Sequence, residues 1–168
     1  EGAQGTLLDI DFGAYPFVTS SNTICAGVCS GLGIAPQKIG KVFGVFKAYC
    51  TRVGSGPFPT ELFDETGKKI QNIGNGFGST TGRARRCGWL DLPALNYAVM
   101  INGVTDLVMT KADVLNSLET IRVAESYNNN TLNYLPFNIN SMEITPDYFD
   151  LPGWNTPVES IDSVSELP

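Results

Sequence analysis

The pattern of hydrophobic and polar positions changes period several times along the chain. Residues 6–12, Thr-Leu-Leu-Asp-Ile-Asp-Phe, alternate apolar and acidic positions and predict a strand, and Gly13-Ala14-Tyr15-Pro16 then marks a turn. A hydroxyl cluster, Val18-Thr19-Ser20-Ser21-Asn22, leads into a small-residue helix over about 23–32, with Ser21 or Asn22 as its N-cap. Residues 40–52 are β-branched and aromatic and predict one long buried strand ending in the loop Val53-Gly54-Ser55-Gly56-Pro57-Phe58-Pro59. Thr60 is the expected N-cap of a helix over about 61–73, whose apolar positions are Leu62, Phe63, Ile70 and Ile73.

The second half repeats the alternation. Residues 91–102 fit an amphipathic helix with Leu92, Leu95, Val99 and Met100 as its core stripe and Gly103 just past its end. Leu107-Val108-Met109-Thr110 predicts a short buried strand that delivers Thr110-Lys111-Ala112-Asp113 to its carboxyl end. Residues 119–127 and 131–137 alternate around Asn128-Asn129-Asn130 and predict a hairpin. Beyond Pro136 no period is sustained, and residues 155–168 are expected to form a disordered acidic tail. Strands alternate with helices over most of the length, so the class is α/β, in a single partial domain over 1–168.

Charge sharpens this division. Residues 1–122 hold all 11 Lys and Arg with 10 Asp and Glu, whereas residues 123–168 hold no base and 7 acids. The body is nearly neutral and lacks the basic face of a nucleic-acid binder. No apolar run reaches the roughly 18 residues of a membrane span. The start, Glu1-Gly2-Ala3-Gln4-Gly5, has neither the basic nor the apolar region of a signal peptide and reads as the interior of a longer sequence. Cys25, Cys29, Cys50 and Cys87 show no C-x-x-C spacing and have no His to complete a metal set. They are expected to be reduced, buried apolar residues of a cytosolic protein.

Candidate chemistry concentrates in Gly76-Phe77-Gly78-Ser79-Thr80-Thr81-Gly82-Arg83-Ala84-Arg85-Arg86-Cys87-Gly88-Trp89-Leu90-Asp91. Glycines let the backbone approach a ligand closely, and hydroxyls and planar guanidinium forks suit a phosphate or carboxylate. The hydroxyls of 19–22, ahead of a helix, form a second phosphate-type cluster, or serve only as caps. In Thr110-Lys111-Ala112-Asp113, the Asp at a strand end can accept two hydrogen bonds from guanine, while adenine would leave that carboxylate unpaired. Alone this tetrapeptide is weak, and it is equally compatible with a GTP-binding module that forms no C–N bond.

Five blocks in register narrow the choice. Glu1–Gly5, Tyr15–Asn22, Thr51–Glu61, Ser79–Asp91 and Thr110–Leu115 closely resemble the adenylosuccinate synthetase family in sequence, order and spacing. The likeness is dense over residues 1–127 and thins toward Leu151-Pro152-Gly153-Trp154. It implies a partial P-loop-NTPase-like sheet with flanking helices, a β-hairpin and an irregular acidic tail. It also implies a GTP- and Mg²⁺-dependent ligase of AMP synthesis, joining IMP and L-aspartate through 6-phosphoryl-IMP, in a cytoplasmic homodimer. Carried over by position, Gln4, Thr19, Val53 and Arg83 would bind IMP. Ser79, Thr80, Thr81, Gly82, Arg83 and Arg85 would bind aspartate, and Arg85, Lys111 and Asp113 would bind GTP.

The family's Gly-rich phosphate loop, its catalytic Asp and His and the rest of its guanine pocket have no counterpart in these 168 residues, which contain no His. No catalytic residue and no metal ligand is therefore expected here, and the chain alone is expected to perform no ligation. Ala112 stands where the family commonly has Leu, and Asn116-Ser117 replace its usual acidic-glycine turn.

Overall fold

The computed structural model describes residues 2–78, 82–154, 157–163 and 165. Among these residues three α-helices, α1 (Ala26–Leu32), α2 (Glu65–Ile73) and α3 (Leu92–Asn102), accompany seven strands. The strands are β1 (Phe43–Lys47), β2 (Cys50–Arg52), β3 (Arg86–Gly88), β4 (Leu90–Asp91), β5 (Asp106–Thr110), β6 (Thr120–Tyr127) and β7 (Pro146–Pro152). They form three small sheets: β1 parallel to β5, β2 antiparallel to β3, and β4–β6–β7, in which β6 runs parallel to β4 and antiparallel to β7. This is a mixed α/β fold, as the alternation of periods predicts.

The first expected strand is absent. Residues 6–8 form a 3-10 turn, and the chain then winds around Asp9, whose side chain is inaccessible to solvent. Its Oδ1 accepts the N–H groups of Asp11 and Phe12 at 2.9 and 3.0 Å, and its Oδ2 those of Thr23 and Ile24 at 2.6 and 3.2 Å. The alternation of acid and apolar residues thus marks a local side-chain-to-backbone turn rather than a pleat. Asp9 also takes over the helix entry that the sequence assigns to Ser21 or Asn22. Cys25 is the N-cap of α1 without a side-chain bond; its N–H donates to Asn102 Oδ1 at 2.8 Å, while Asn22 Nδ2 donates to Asp11 Oδ2 at 2.7 Å.

The long strand expected over 40–52 is broken. Ala48 and Tyr49, between β1 and β2, turn into the main core with Ile70, Cys87, Trp89, Val114, Leu115 and Ile121. β1 and β5 are not buried as expected: Phe43 is 60% exposed, Val45 69% and Met109 53%. Among the described residues this sheet has two strands, and their apolar side chains lie open rather than between covering layers as in a complete parallel sheet.

Helix α2 starts later than predicted, at an Asp64 cap whose side chain accepts the Gly67 N–H at 3.0 Å. Thr60 is instead buried and donates to the Trp89 carbonyl at 2.8 Å. In α2, Ile70 is buried, but Ile73 and the preceding Phe63 are exposed. Helix α3 matches its expected span, capped by Asp91 and ended by Gly103 at φ +60°, but not its expected core stripe. Leu92, Leu95 and Val99 are only half-buried and Met100 is exposed, while Pro93 is buried and Ala94 and Tyr97 pack against Tyr127 and its neighbours.

The predicted hairpin has a different second strand. β6 pairs with β7, and residues 131–137 contribute only a bridge between Tyr127 and Leu132. A second core of Ala14, Tyr127, Leu135 and Ile139 lies under this connection. Of the tail expected to be disordered, the described residues include a 3-10 turn at Val158–Ser160, where the Val158 N–H donates to Asn116 Oδ1 at 3.3 Å. Residues 155, 156, 164 and 166–168 lie outside the described residues.

Candidate functional site

The carboxyl ends of β1 and β5 lie side by side, with Lys47 opposite Thr110. Strand ends of this kind collect ligands in open α/β sheets. Immediately after β5, Lys111 adopts a left-handed backbone (φ +61°, ψ 26°) and starts the 3-10 turn Ala112–Leu115. That kink sends Val114 and Leu115 into the core, each 1% exposed, and leaves Lys111 and Asp113 at the surface. Among the described residues the Asp113 carboxylate forms neither a hydrogen bond nor an ion pair, so both its oxygens can accept from a ligand.

The Gly-rich stretch approaches the same edge. Phe77 and Ala84 form an antiparallel bridge, the Gly78 N–H donates to the Arg83 carbonyl at 2.9 Å, and the Arg85 N–H to the Gly76 carbonyl at 2.7 Å. Gly82 takes φ +64° at the tip, where the surroundings are open. Ser79, Thr80 and Thr81, expected to bind aspartate, lie outside the described residues. Arg83 is exposed and its Nη2 stands beside Gly54, 3.9 Å from where a Cβ would sit there, which joins it to the Val53 loop. Arg85 is half-buried and its Nε is buried without a hydrogen-bond partner among the described residues. An unpaired buried donor of this kind costs about 1–3 kcal/mol until something accepts from it.

Two side chains connect these segments electrostatically. Burial, reinforced by Arg85 and Lys111, lowers the Lys47 pKa below the ordinary lysine value. Burial also raises the Tyr49 hydroxyl, with Asp113 adding to the rise and Arg85 opposing it. Arg85, Lys111 and Asp113 therefore share one neighbourhood around Lys47 and Tyr49.

The Val53–Pro59 loop is held by two arginines that the sequence reading gave no site role. Arg86 donates Nε to Glu61 Oε1 at 2.7 Å and Nη2 to Glu61 Oε2, while its Nη1 reaches the Gly54 and Gly56 carbonyls at 3.0 Å each. Arg52 donates to the Ser55 carbonyl at 3.0 Å and the Phe17 carbonyl at 3.1 Å. The second contact ties the loop to the segment carrying Thr19, whose half-buried hydroxyl lies 3.2 Å from Ser21 Oγ. Val53 is exposed on the loop. Gln4 is exposed, with φ +71°, in a turn joined to residue 23 by the Thr23 hydroxyl, which donates to the Gly5 carbonyl at 2.8 Å.

Arg83, Val53 and the Thr19 segment thus gather around one loop, and Arg85, Lys111 and Asp113 gather at the β1–β5 edge. No contact joins Gln4 directly to either group among the described residues. Guanidiniums, an ammonium and an unpaired carboxylate on glycine-rich backbone give this α/β protein a polar edge whose donors and acceptor have the chemistry to contact anionic and N–H-bearing groups.

Comparison with known proteins identifies it further. The adenylosuccinate synthetase family model matches residues 1–168, and the chain belongs to that family. It is 61% identical over 170 residues to the adenylosuccinate synthetase of Bacteroides fragilis and 62% to that of Azobacteroides pseudotrichonymphae. In both cases all of this chain aligns with 40% of the relative, so the chain spans less than half the length of these relatives. Among solved structures, a fully ligated adenylosuccinate synthetase from Plasmodium falciparum superimposes with a TM-score of 0.91 at 44% identity. That match covers 100% of this chain and 41% of the Plasmodium one. A cyanophage S-2L succinoaminodeoxyadenylate synthetase bound to dGMP and dATP shares the fold, with a TM-score of 0.57 at 24% identity over 68% of this chain and 35% of its own.

Proposed function

We propose that this chain supplies the aspartate, IMP and guanine contacts of a GTP-dependent ligase that joins IMP and L-aspartate to form adenylosuccinate on the route to AMP. Asp113 accepts from the guanine ring N–H and exocyclic amine, with the Lys111 stem over the base. Arg83 forks an aspartate carboxylate and reaches the IMP ribose beside Val53, with Ser79, Thr80, Thr81 and Gly82 completing the loop. Thr19 takes the IMP phosphate and Gln4 the hypoxanthine. Arg85 lies between aspartate and the GTP phosphates. The observation that carries this reading is Asp113, exposed and unpaired in the 3-10 turn just beyond β5, two residues after the left-handed Lys111.

The isolated chain performs recognition only. Phosphoryl transfer depends on positioning and on stabilising charge on the moving group, and these residues hold no His to assist it. Mg²⁺ enters as the counter-ion of the GTP phosphates. Among the described residues no three His, Cys, Asp or Glu side chains could hold a metal ion, and no residue of this chain is assigned to it. The setting proposed is a cytoplasmic homodimer; among the described residues no helix is long and apolar enough to cross a membrane.

Calorimetric titration with GTP, ATP and IMP plus aspartate tests the reading. GTP is expected to bind, ATP not, and Asp113→Ala to abolish GTP binding. Arg83→Ala is expected to remove the response to IMP plus aspartate alone. Equal binding of ATP and GTP, or GTP binding indifferent to Asp113→Ala, would overturn the guanine assignment.

A further inference from the structure

Lys47 is the last residue of β1 and sits in register with Thr110, next to Lys111. Lys47 is half-buried and its ammonium donates to Thr51 Oγ1 at 2.9 Å, with the centre of the Tyr49 ring 5.7 Å away. An ammonium carries three donors. Among the described residues Thr51 takes one of them, and no carboxylate forms an ion pair with Lys47. The cationic side chains that act on it, Arg85 and Lys111, bear its own sign. A partly desolvated cation among like charges, with donors to spare, is unfavourable unless a counter-charge arrives. Arg85 presents the same deficit from the other side, through its buried and unpartnered Nε. Both deficits stand at the ligand-collecting edge of the sheet.

We propose that Lys47 is a further anion-binding residue of this site, its ammonium and the Arg85 guanidinium together taking the oxygens of one phosphate or carboxylate group. The proposal rests on the reading of Arg85 as a ligand-binding residue, and adds Lys47 to the residues assigned above. Thr51 is the strut that holds the ammonium at the edge, and β2 and β3 fix that strut relative to Arg85, with Thr51 opposite Cys87.

Acylation of lysines in the whole 168-residue chain, mapped by peptide mass spectrometry, tests it without altering Lys47. The exposed Lys38 and Lys41 serve as internal references. Pyrophosphate or succinate is expected to slow labelling of Lys47 by about tenfold, the scale of one hydrogen bond to a charged group, and to leave the references unchanged. Protection by pyrophosphate identifies a phosphate as the anion, and protection by succinate a carboxylate. Arg85→Gln is expected to remove the protection, and Arg85→Lys to keep part of it.

The proposal is overturned if neither anion protects Lys47, if the references are protected equally, or if Arg85→Gln leaves the protection intact. Its failure is separable from that of the nucleotide reading. GTP binding that depends on Asp113 with Lys47 unprotected sinks this inference alone. Protected Lys47 without GTP binding sinks the guanine assignment and leaves the anion site standing.

Discussion

Arg86 grips Glu61 with two prongs of its guanidinium and spends the third nitrogen on the carbonyls of Gly54 and Gly56. Of the three guanidiniums that cluster in the sequence at 83–86, this one is consumed by structure. The pair is largely out of solvent, with the side chains 30% and 11% exposed, and its hydrogen bond to Glu61 holds the Arg86 pKa above the ordinary value. It fixes the Val53 loop against the strand that carries Arg85's neighbours.

Arg86→Met is therefore expected to lower stability by about 2–3 kcal/mol in urea denaturation, because it strands a shielded Glu61 carboxylate and two carbonyls. The double variant with Glu61→Met is expected to recover part of that loss, since no lone charge remains. A double variant no more stable than Arg86→Met would remove the ion pair as the cause.

Gly56 takes φ +109° and lies against Phe17 and the Arg52 guanidinium. A methyl group there meets both and demands a backbone region that L-residues rarely occupy. Gly56→Ala should cost about 1–3 kcal/mol, whereas Gly82→Ala, at φ +64° in open surroundings, should show the backbone cost alone. Gly56→Ala is expected to lower the urea midpoint further than Gly82→Ala, and an equal shift would show that the contacts of Gly56 with Phe17 and Arg52 and its more extreme φ add nothing.

Asp9 sets an acid limit on the fold. Burial pushes its pKa up, but the four backbone N–H groups it accepts from outweigh this and hold it below the ordinary 3.8. The folded chain thus keeps Asp9 ionised at a pH where the unfolded chain protonates it. Its stabilisation is complete above the ordinary carboxylate value and is lost as pH falls through the lower folded value. Stability should decline with acid below about pH 4, and Asp9→Asn should flatten that decline while lowering stability at neutral pH. An unchanged slope in urea titrations at stepped pH would exclude Asp9 as the source.

The uncovered β1–β5 pair should make the isolated chain associate. Val45, Leu107, Val108 and Met109 are exposed apolar side chains on a two-stranded parallel sheet, an arrangement that invites edge and face pairing. Light scattering is expected to show mass rising with concentration, and Val45→Lys with Val108→Lys to suppress it. A monomer at all concentrations would show that these faces are not adhesive.

Parts of this protein are legible locally. The span of helix α3 follows from its run of apolar helix formers and from Gly103 just past its end, although the face it turns inward carries Pro93, Ala94 and Tyr97 rather than the expected stripe. The position of Thr110-Lys111-Ala112-Asp113 at a strand end follows from a short apolar run, and its guanine reading from the hydrogen-bonding pattern of a carboxylate. The blocks that carry the family likeness are likewise matters of sequence, because ligand contacts need particular residues at particular spacings.

Other features depend on partners far along the chain. The alternation at 6–12 looks like a pleat, and only the N–H groups of Thr23 and Ile24, fourteen and fifteen residues away from Asp9, make it a turn. The partner of β6 lies at 146–152 rather than 131–137, and the nearer segment instead turns Leu135 into the second core. The sequence by itself determined the residue types of the site, the family and the alternation of helix and strand. Only the tertiary structure decided which guanidinium holds the loop and which keeps a buried, unpaired nitrogen, because Arg86 and Arg85 differ in their neighbours and not in their chemistry.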